Sequence, residues 1–172
     1  MAKKSMKINV VDHLLLDGGK EVEDITQVGL PTFEHPTTEV NTSHTAIAMA
    51  IPDNTRFNAA TYTVAHNNGN NSILLQTPGL HEQEFRTVRQ KYTVSKTEIE
   101  YESVKYRVTG MHQSTEKGTI ESGNPYGSTE TYGVVRYEEI VNGKTVMLID
   151  GPKNIIRVNG KDYSGDVEKL LR

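Results

Sequence analysis

The sequence predicts an all-β fold, a β-sandwich or barrel with two short helices. Asn142-Gly143 and Asn159-Gly160 each follow an apolar, β-branched run, and Asn-Gly is a strong signal for a two-residue hairpin turn. Apolar and polar residues alternate over many short segments, as they do in half-buried strands. Only residues 72–79 and 164–172 carry helix signals, so strands dominate and helices are minor elements.

The first strands lie near the N-terminus. Residues 8–16 are apolar and end at an Asp-Gly-Gly turn signal. Residues 22–30 alternate loosely and stop at a proline, so strand-turn-strand is the simplest interpretation. Residues 57–66 are a further strand candidate, and Ser72 then caps one or two helical turns that a Pro-Gly pair ends.

The segment 31–55 is predicted to be a long loop or hairpin. It begins with loop chemistry rich in Thr and Pro, and then Ile47, Met49 and Ile51 alternate with three alanines. As a strand, this run has one bulky apolar face and one small face. The excursion is longer than ordinary connections within a compact domain, and its apolar part is unsuited to disorder in water. We therefore expect this strand to have a partner.

Residues 98–108 alternate, but the apolar positions change from odd to even numbers midway. A strand of period two changes face only through a bulge or a transfer between sheets, so one of these is expected here. Glu98, Glu100 and Glu102 point to one side of the strand, where their like charges repel. This face is therefore predicted to be wet, either as a solvated outer face or as the lining of a water-filled channel.

The C-terminal part reads as a polar loop over residues 113–130, two hairpins, and a short helix over residues 164–172 with Ser164 as its cap. Residues 80–94 are ambiguous between helix and strand. With 172 residues, the chain is predicted to be a single domain, 1–172, with residues 31–55 as its long loop or hairpin.

Composition excludes several classes of function. The net charge is −3 with no basic cluster beyond the N-terminal lysines, which argues against a dedicated nucleic-acid binder. Cysteine is absent, so disulfides, thiolate nucleophiles and Cys-based metal sites are excluded. No apolar run approaches the roughly 20 residues that span a bilayer, and no signal peptide is evident. We expect a chain made in the cytoplasm, without a membrane anchor.

Motifs for chemistry are absent from the sequence. The six histidines have neither the i, i+4 nor the i, i+2 spacing of a metal site, and no Gly-x-Ser-x-Gly elbow or phosphate loop occurs. A Ser-His-Asp triad depends on geometry rather than spacing, so sequence alone leaves it open. The sequence predicts no enzyme and no catalytic, cofactor-binding or metal residues.

The C-terminal part resembles the major tail tube protein family of contractile-tail phages and R-type tail-like bacteriocins. The resemblance is carried by "VKYRVTGMHQSTEKGTIESGNP" (104–125) and "VNGKTVMLIDGPKNIIRVNGKDY" (141–163), and more loosely by "LLLDGG" (14–19) and "GLPTFEHPTTEV" (29–40). It implies two packed antiparallel sheets plus a helix, with strands of each subunit joining an inner β-barrel in a hexameric ring. It also favours a strand over residues 84–94.

The resemblance further implies a self-assembling subunit of the inner tube, with stacked rings that enclose a channel for DNA or ions. Expected partners are further copies, the tail sheath, the baseplate or tube initiator, the tape measure protein and transiting DNA, in a virion tail or tail-like particle. Ile47, Met49 and Ile51 then form a subunit interface, and Glu98, Glu100 and Glu102 face the lumen. The alternatives are a monomeric β-sandwich binding module and, third, a hydrolase with a triad or carboxylate pair.

Overall fold

The structure is a computed structural model that describes residues 5–41, 46–67, 72–93 and 98–165. Within these ranges the chain forms twelve strands and one short helix, which confirms the all-β prediction. The strands are β1 (Ser5–Asp17), β2 (Lys20–Val22), β3 (Ile25–Gly29), β4 (Thr37–Val40), β5 (Met49–Pro52), β6 (Thr61–Asn67), β7 (Leu80–Thr93), β8 (Glu98–Lys117), β9 (Gly127–Val141), β10 (Lys144–Asp150), β11 (Ile155–Val158) and β12 (Lys161–Asp162). The helix, α1 (Ser72–Leu75), lies between β6 and β7.

Ten strands form one branched antiparallel sheet in the order β12-β11-β10-β9-β8-β7-β1-β2, with β6 joining β9 and β3 joining β6. β4 and β5 pair only with each other and form a separate hairpin. The branch point is β9, which pairs with β8 along one edge and with β6 and then β10 along the other. Antiparallel strands can be joined by turns of only two residues, which agrees with the short turns of this chain.

The predicted Asn-Gly hairpins are confirmed. Asn142 and Asn159 have φ angles of 48° and 49°, and the glycines that follow them have φ of 79° and 81°. Positive φ at both central residues is the type I′ geometry that matches the twist of two paired strands, and Asn and Gly tolerate it best. The predicted turn between β1 and β2 is confirmed in the same way, with φ of 55° at Gly18 and 80° at Gly19.

The core lies where β6 folds over β7 and β8. The ring of Tyr62 stacks on Tyr132 at 5.0 Å between centroids and meets the edge of Phe85 at 6.1 Å. Gly110 is required below this ring, because a Cβ at that position would lie 2.3 Å from the Tyr62 hydroxyl oxygen. Further buried apolar side chains complete the cluster: Leu15, Val22, Val64, Leu75, Val108, Tyr137 and Ile149.

The predicted change of face within residues 98–108 is wrong. β7 and β8 pair without a register shift from Thr93↔Glu98 to Leu80↔Met111, so the even-numbered residues of β8 stay on one side. Two shifts lie instead between β8 and β9, at the step from Thr109↔Arg136 to Gly110↔Val134 and at the step from His112↔Tyr132 to Ser114↔Thr131. β9 therefore changes which of its residues face the core.

Other predictions have mixed outcomes. The short helix that begins at Ser72 is confirmed, as is a strand for the ambiguous residues 80–94, of which Leu80–Thr93 are described. The polar loop is shorter than the predicted 113–130, because β8 continues to Lys117 and β9 begins at Gly127. The C-terminal helix lies largely outside the described residues. In the part of the chain that the structure describes, no helix is long and apolar enough to cross a membrane.

Candidate assembly surfaces

The hairpin β4–β5 projects from the body as an arm, here defined as residues 37–52. Its base is clamped from both sides: the Asp53 amide donates to the Pro36 carbonyl at 2.8 Å, and Nδ1 of His35 donates to the Arg56 carbonyl at 2.8 Å. Phe33, just before the arm, packs against Tyr137 at 5.0 Å between ring centroids. The arm is thus held at its root and leaves the body in a defined direction.

One face of the arm is apolar. Thr38 is opposite Ile51 and Val40 is opposite Met49, so these four side chains share a face. Met49 and Ile51 are 49% and 51% exposed, and Ile47, which lies in a bend rather than in the strand, is 78% exposed. The predicted strand is therefore shorter than the alternating run, and none of its three bulky residues is covered within its own copy.

Of the three glutamates of β8, Glu98 is exposed as predicted, Glu100 is half-buried and Glu102 is buried. They lie on the same side as the core residues Val104 and Val108, and Glu102 is only 7% exposed. Oε2 of Glu102 lies 3.2 Å from Nη2 of Arg89, and Oε2 of Glu100 lies 3.8 Å from Nζ of Lys91. Sequence reasoning missed these cations because they come from the neighbouring strand.

Apolar side chains occupy the opposite side of the same hairpin end. Ile99 and Tyr101 are 55% and 67% exposed, and Val88 on β7 is 39% exposed. β9 pairs with β8 only from Val104 onward, so this end of the β7–β8 hairpin extends past β9. An exposed apolar patch on an extended strand pair is typical of a surface that another chain covers.

An apolar groove opens beside the core, between β1, β3 and β7. Its volume is about 350 Å³. Val10 and Leu30 form its exposed rim at 53% and 43% exposure, and Phe85 lies at its base. The remaining lining residues are His13, Leu14, Gln27, Val28, Thr87, Arg89 and Tyr106.

The sequence as a whole matches one protein family. The family model described as phage tail tube protein FII matches residues 10–171. The chain belongs to this family. The tube protein is therefore a structural subunit of a tail tube, in the tail of a virion or of a tail-like particle. A sequence comparison with curated proteins gave no match.

Solved structures share the fold of the tube protein at low sequence identity. A chain of the PVC extracellular contractile injection system, solved as the sheath/tube terminator in the extended state, has a TM-score of 0.52 at 11% identity, covering 77% of this chain and 95% of that one. A chain of the PVC sheath-tube complex has 0.50 at 12%, covering 77% and 90%. A chain of the anti-feeding prophage cap has 0.50 at 14%, covering 74% and 86%.

A ladder of charges crosses the outer face of the tube protein's sheet. Glu84 on β7 accepts a hydrogen bond from Arg107 Nε on β8 at 2.8 Å, and Arg107 also lies 3.8 Å from Glu138 on β9. Burial opposes ionisation of Glu84, but hydrogen bonds from Arg107 and Arg86 outweigh it and lower the pKa of this carboxyl. The signs alternate along the ladder, so this face is wet without being strongly acidic or basic.

The tube protein also contains a buried polar cluster that sequence reasoning missed. The fully buried carboxylate of Glu130 lies 3.3 Å from Nε2 of His66 and 3.1 Å from Nε2 of His112, and it accepts hydrogen bonds from Ser128 and Thr115. The histidines come from β6 and β8 and the carboxylate from β9, so only pairing of distant strands brings them together. The only hint in the sequence was that Ser128 and Glu130 are two residues apart, which places them on the same face of a strand.

This cluster is not a catalytic triad. Ser128 and Glu130 both approach Nε2 of His66, whereas a triad requires the carboxylate on the other ring nitrogen. Nδ1 of His66 instead donates to the Asn67 carbonyl at 2.8 Å. All three side chains are under 10% exposed, so a substrate has no access to them. Among the described residues, no group of three or more His, Asp or Glu side chains has the geometry of a metal site.

Proposed function

We propose that the tube protein assembles into hexameric rings that stack into a hollow tube, through which DNA or ions pass into a host. The observation that carries the proposal is the arm: Ile47, Met49 and Ile51 are exposed and apolar, and their hairpin pairs with no other described strand and is fixed at its root. A monomer gains nothing from such an arm, whereas a subunit buries it against further copies. These three residues are the proposed subunit interface.

The main sheet offers a second means of association. Over the described residues, β1 pairs with β7 along one side but with β2 only at Leu15–Asp17 on the other, so most of that edge is open. An open edge invites pairing with another chain, and a ring in which sheets continue from copy to copy removes it. A head-to-tail contact of this kind forms a closed ring when the rotation from one copy to the next is a whole fraction of a full turn. This supports an inner barrel to which each subunit contributes strands.

The lumen assignment of Glu98, Glu100 and Glu102 stays a proposal, with a changed physical basis. Arg89 and Lys91 neutralise part of the charge of Glu102 and Glu100, so the repulsion between DNA and this face is weaker than the sequence suggests. A surface of alternating charges still gives passing DNA little to bind. A tube map with these side chains on the outer surface of the tube would reject the assignment.

The expected partners follow from the family to which the chain belongs and from the assemblies in which the similar structures were solved. Two of the matched chains come from assemblies described as sheath/tube terminator and sheath-tube complex. We propose the tail sheath on the outside, the baseplate or tube initiator at one end, and the tape measure protein and transiting DNA within the lumen. The proposal includes no catalytic step.

Negative-stain electron microscopy of the concentrated, purified protein, together with light scattering, tests the assembly. Rings or hollow tubes with a central channel are the expected result. Because nucleation can limit assembly, a monomeric sample is next offered to an isolated baseplate or initiator complex, from which tubes should grow. Strict monomers under both conditions would favour a β-sandwich binding module instead.

Met49→Asp tests the proposed interface. A charge on the apolar face of the arm should prevent assembly and leave a folded monomer, because Met49 makes no core contact within its copy. The readouts are tube formation by microscopy and secondary structure by circular dichroism. Tubes of normal length from this variant would reject the interface, and an unfolded protein would show that the arm packs in the subunit's own core.

A further inference from the structure

We propose that the arm of one copy inserts its apolar face into the groove between β1, β3 and β7 of a neighbouring copy. This inference rests on the proposed assembly and names the surface that receives the arm. The apolar face of the arm, here called the donor, and the groove, here called the acceptor, are both uncovered in a single copy. Thr38, Val40, Met49 and Ile51 form the donor face, and Val10, Leu30 and Phe85 mark the acceptor.

The groove is built for an apolar occupant. Most of its exposed lining is hydrophobic, with Val10 and Leu30 at the rim and Phe85 and Val28 within. Apolar surface of this kind gains roughly 25 cal/mol for each Å² removed from water. Its volume of about 350 Å³ is at the small end of ligand sites. A few aliphatic side chains would fill it, and the arm carries such a set on a rigid strand pair.

The arm does not fill the groove of its own copy. None of the described arm residues, 37–41 and 46–52, lines the groove, and all four residues of β5 are exposed. The root of the arm is fixed in its own copy, where Phe33 contacts Phe57 and Tyr137 and His35 stacks on Phe57 at 4.3 Å. Another copy is therefore the natural source of the occupant.

The absence of cysteine makes a clean crosslinking test possible. Two single variants, Met49→Cys and Leu30→Cys, are mixed before assembly and treated with a short bismaleimide. Because each copy carries only one thiol, no crosslink can form within a copy, and every crosslink joins two copies. The control mixes Met49→Cys with Met111→Cys, whose side chain is 54% exposed and remote from the groove. All three positions are exposed, so the substitutions preserve the fold.

The expected result is a shift from monomer to dimer mobility in denaturing gels for the Met49–Leu30 mixture and no shift for the control. Tubes that form without this crosslink, or with the control crosslink in its place, would overturn the docking and leave the proposed function standing. A dimer from Met49→Cys alone would indicate arm-to-arm contact and also overturn it. Failure of all mixtures and of the wild type to assemble, both alone and on an isolated baseplate or initiator complex, would overturn both the docking and the proposed function.

Discussion

The body of the tube protein and its arm treat apolar side chains in opposite ways. In the body, Tyr62 and Tyr132 are almost completely buried, and each hydroxyl donates a hydrogen bond, to Gln83 at 2.9 Å and to the Leu75 carbonyl at 2.6 Å. In the arm, Ile47 and Met49 are exposed. The difference teaches that burial within one copy explains the body but not the arm; under the proposed assembly, the body stabilises one copy and the arm stabilises the contact between copies.

The largest loss of stability should come from Tyr132→Ala. The substitution leaves a cavity between Tyr62 and the His81 and His112 rings and orphans the Leu75 carbonyl. We expect the free energy of unfolding to fall by about 3–5 kcal/mol. Denaturant unfolding measures it. Tyr101→Ala, at an exposed position, is the control and should change stability by less than about 0.5 kcal/mol. Equal losses would contradict the assignment of the core.

Glu130→Ala should be next in size. It removes the acceptor shared by His66, His112, Ser128 and Thr115, whose polar groups are then buried without it. We expect a loss of about 1–3 kcal/mol, since an unsatisfied buried polar group costs that much. Glu116→Ala, an exposed glutamate on β8, is the matched control. If both variants unfold at the same denaturant concentration, the buried cluster contributes nothing to the body.

Asp162 should give a small, pH-dependent effect. Hydrogen bonds from the Gly165 amide and the Ser164 hydroxyl lower the pKa of this carboxyl from 3.8 to about 2. Because the folded pKa is depressed, the stabilisation is present above the unfolded pKa and is lost as pH falls through about 2. The difference in unfolding midpoint between wild type and Asp162→Asn should be constant at higher pH and change below about pH 4. A constant difference down to pH 2 would contradict it.

The smallest change in stability is expected in the arm. Met49→Asp, although it should abolish assembly, should alter the free energy of unfolding by less than about 0.5 kcal/mol, as an exposed substitution does. Ile149→Asp introduces the same charge at a buried position of the body, 8% exposed, and should prevent folding. A Met49→Asp protein that is as unfolded as the Ile149→Asp variant, as judged by circular dichroism, would contradict the distinction between body and arm.

Local signals predicted a large part of the fold. The turns at Asn142 and Asn159 are specified by two residues each, because positive φ selects Asn and Gly whatever the surroundings. The apolar alternation around Met49 predicted a strand, of which the structure shows Met49–Pro52 and places Ile47 in a bend. The burial of Glu102 and the ion pair of Glu100 were missed because their partners, Arg89 and Lys91, lie on the neighbouring strand in space but are distant in sequence.

By itself, the sequence determined the all-β class, the hairpin turns and the unusual arm, since each depends on the conformational preferences of adjacent residues. Only the tertiary structure decided which side of β8 faces the core, where the register shifts lie, and that His66, His112 and Glu130 meet. These depend on strand pairing, and a shift of one residue between strands reverses every face. The choice among registers is made by the packing of the whole body, which no local stretch of sequence contains.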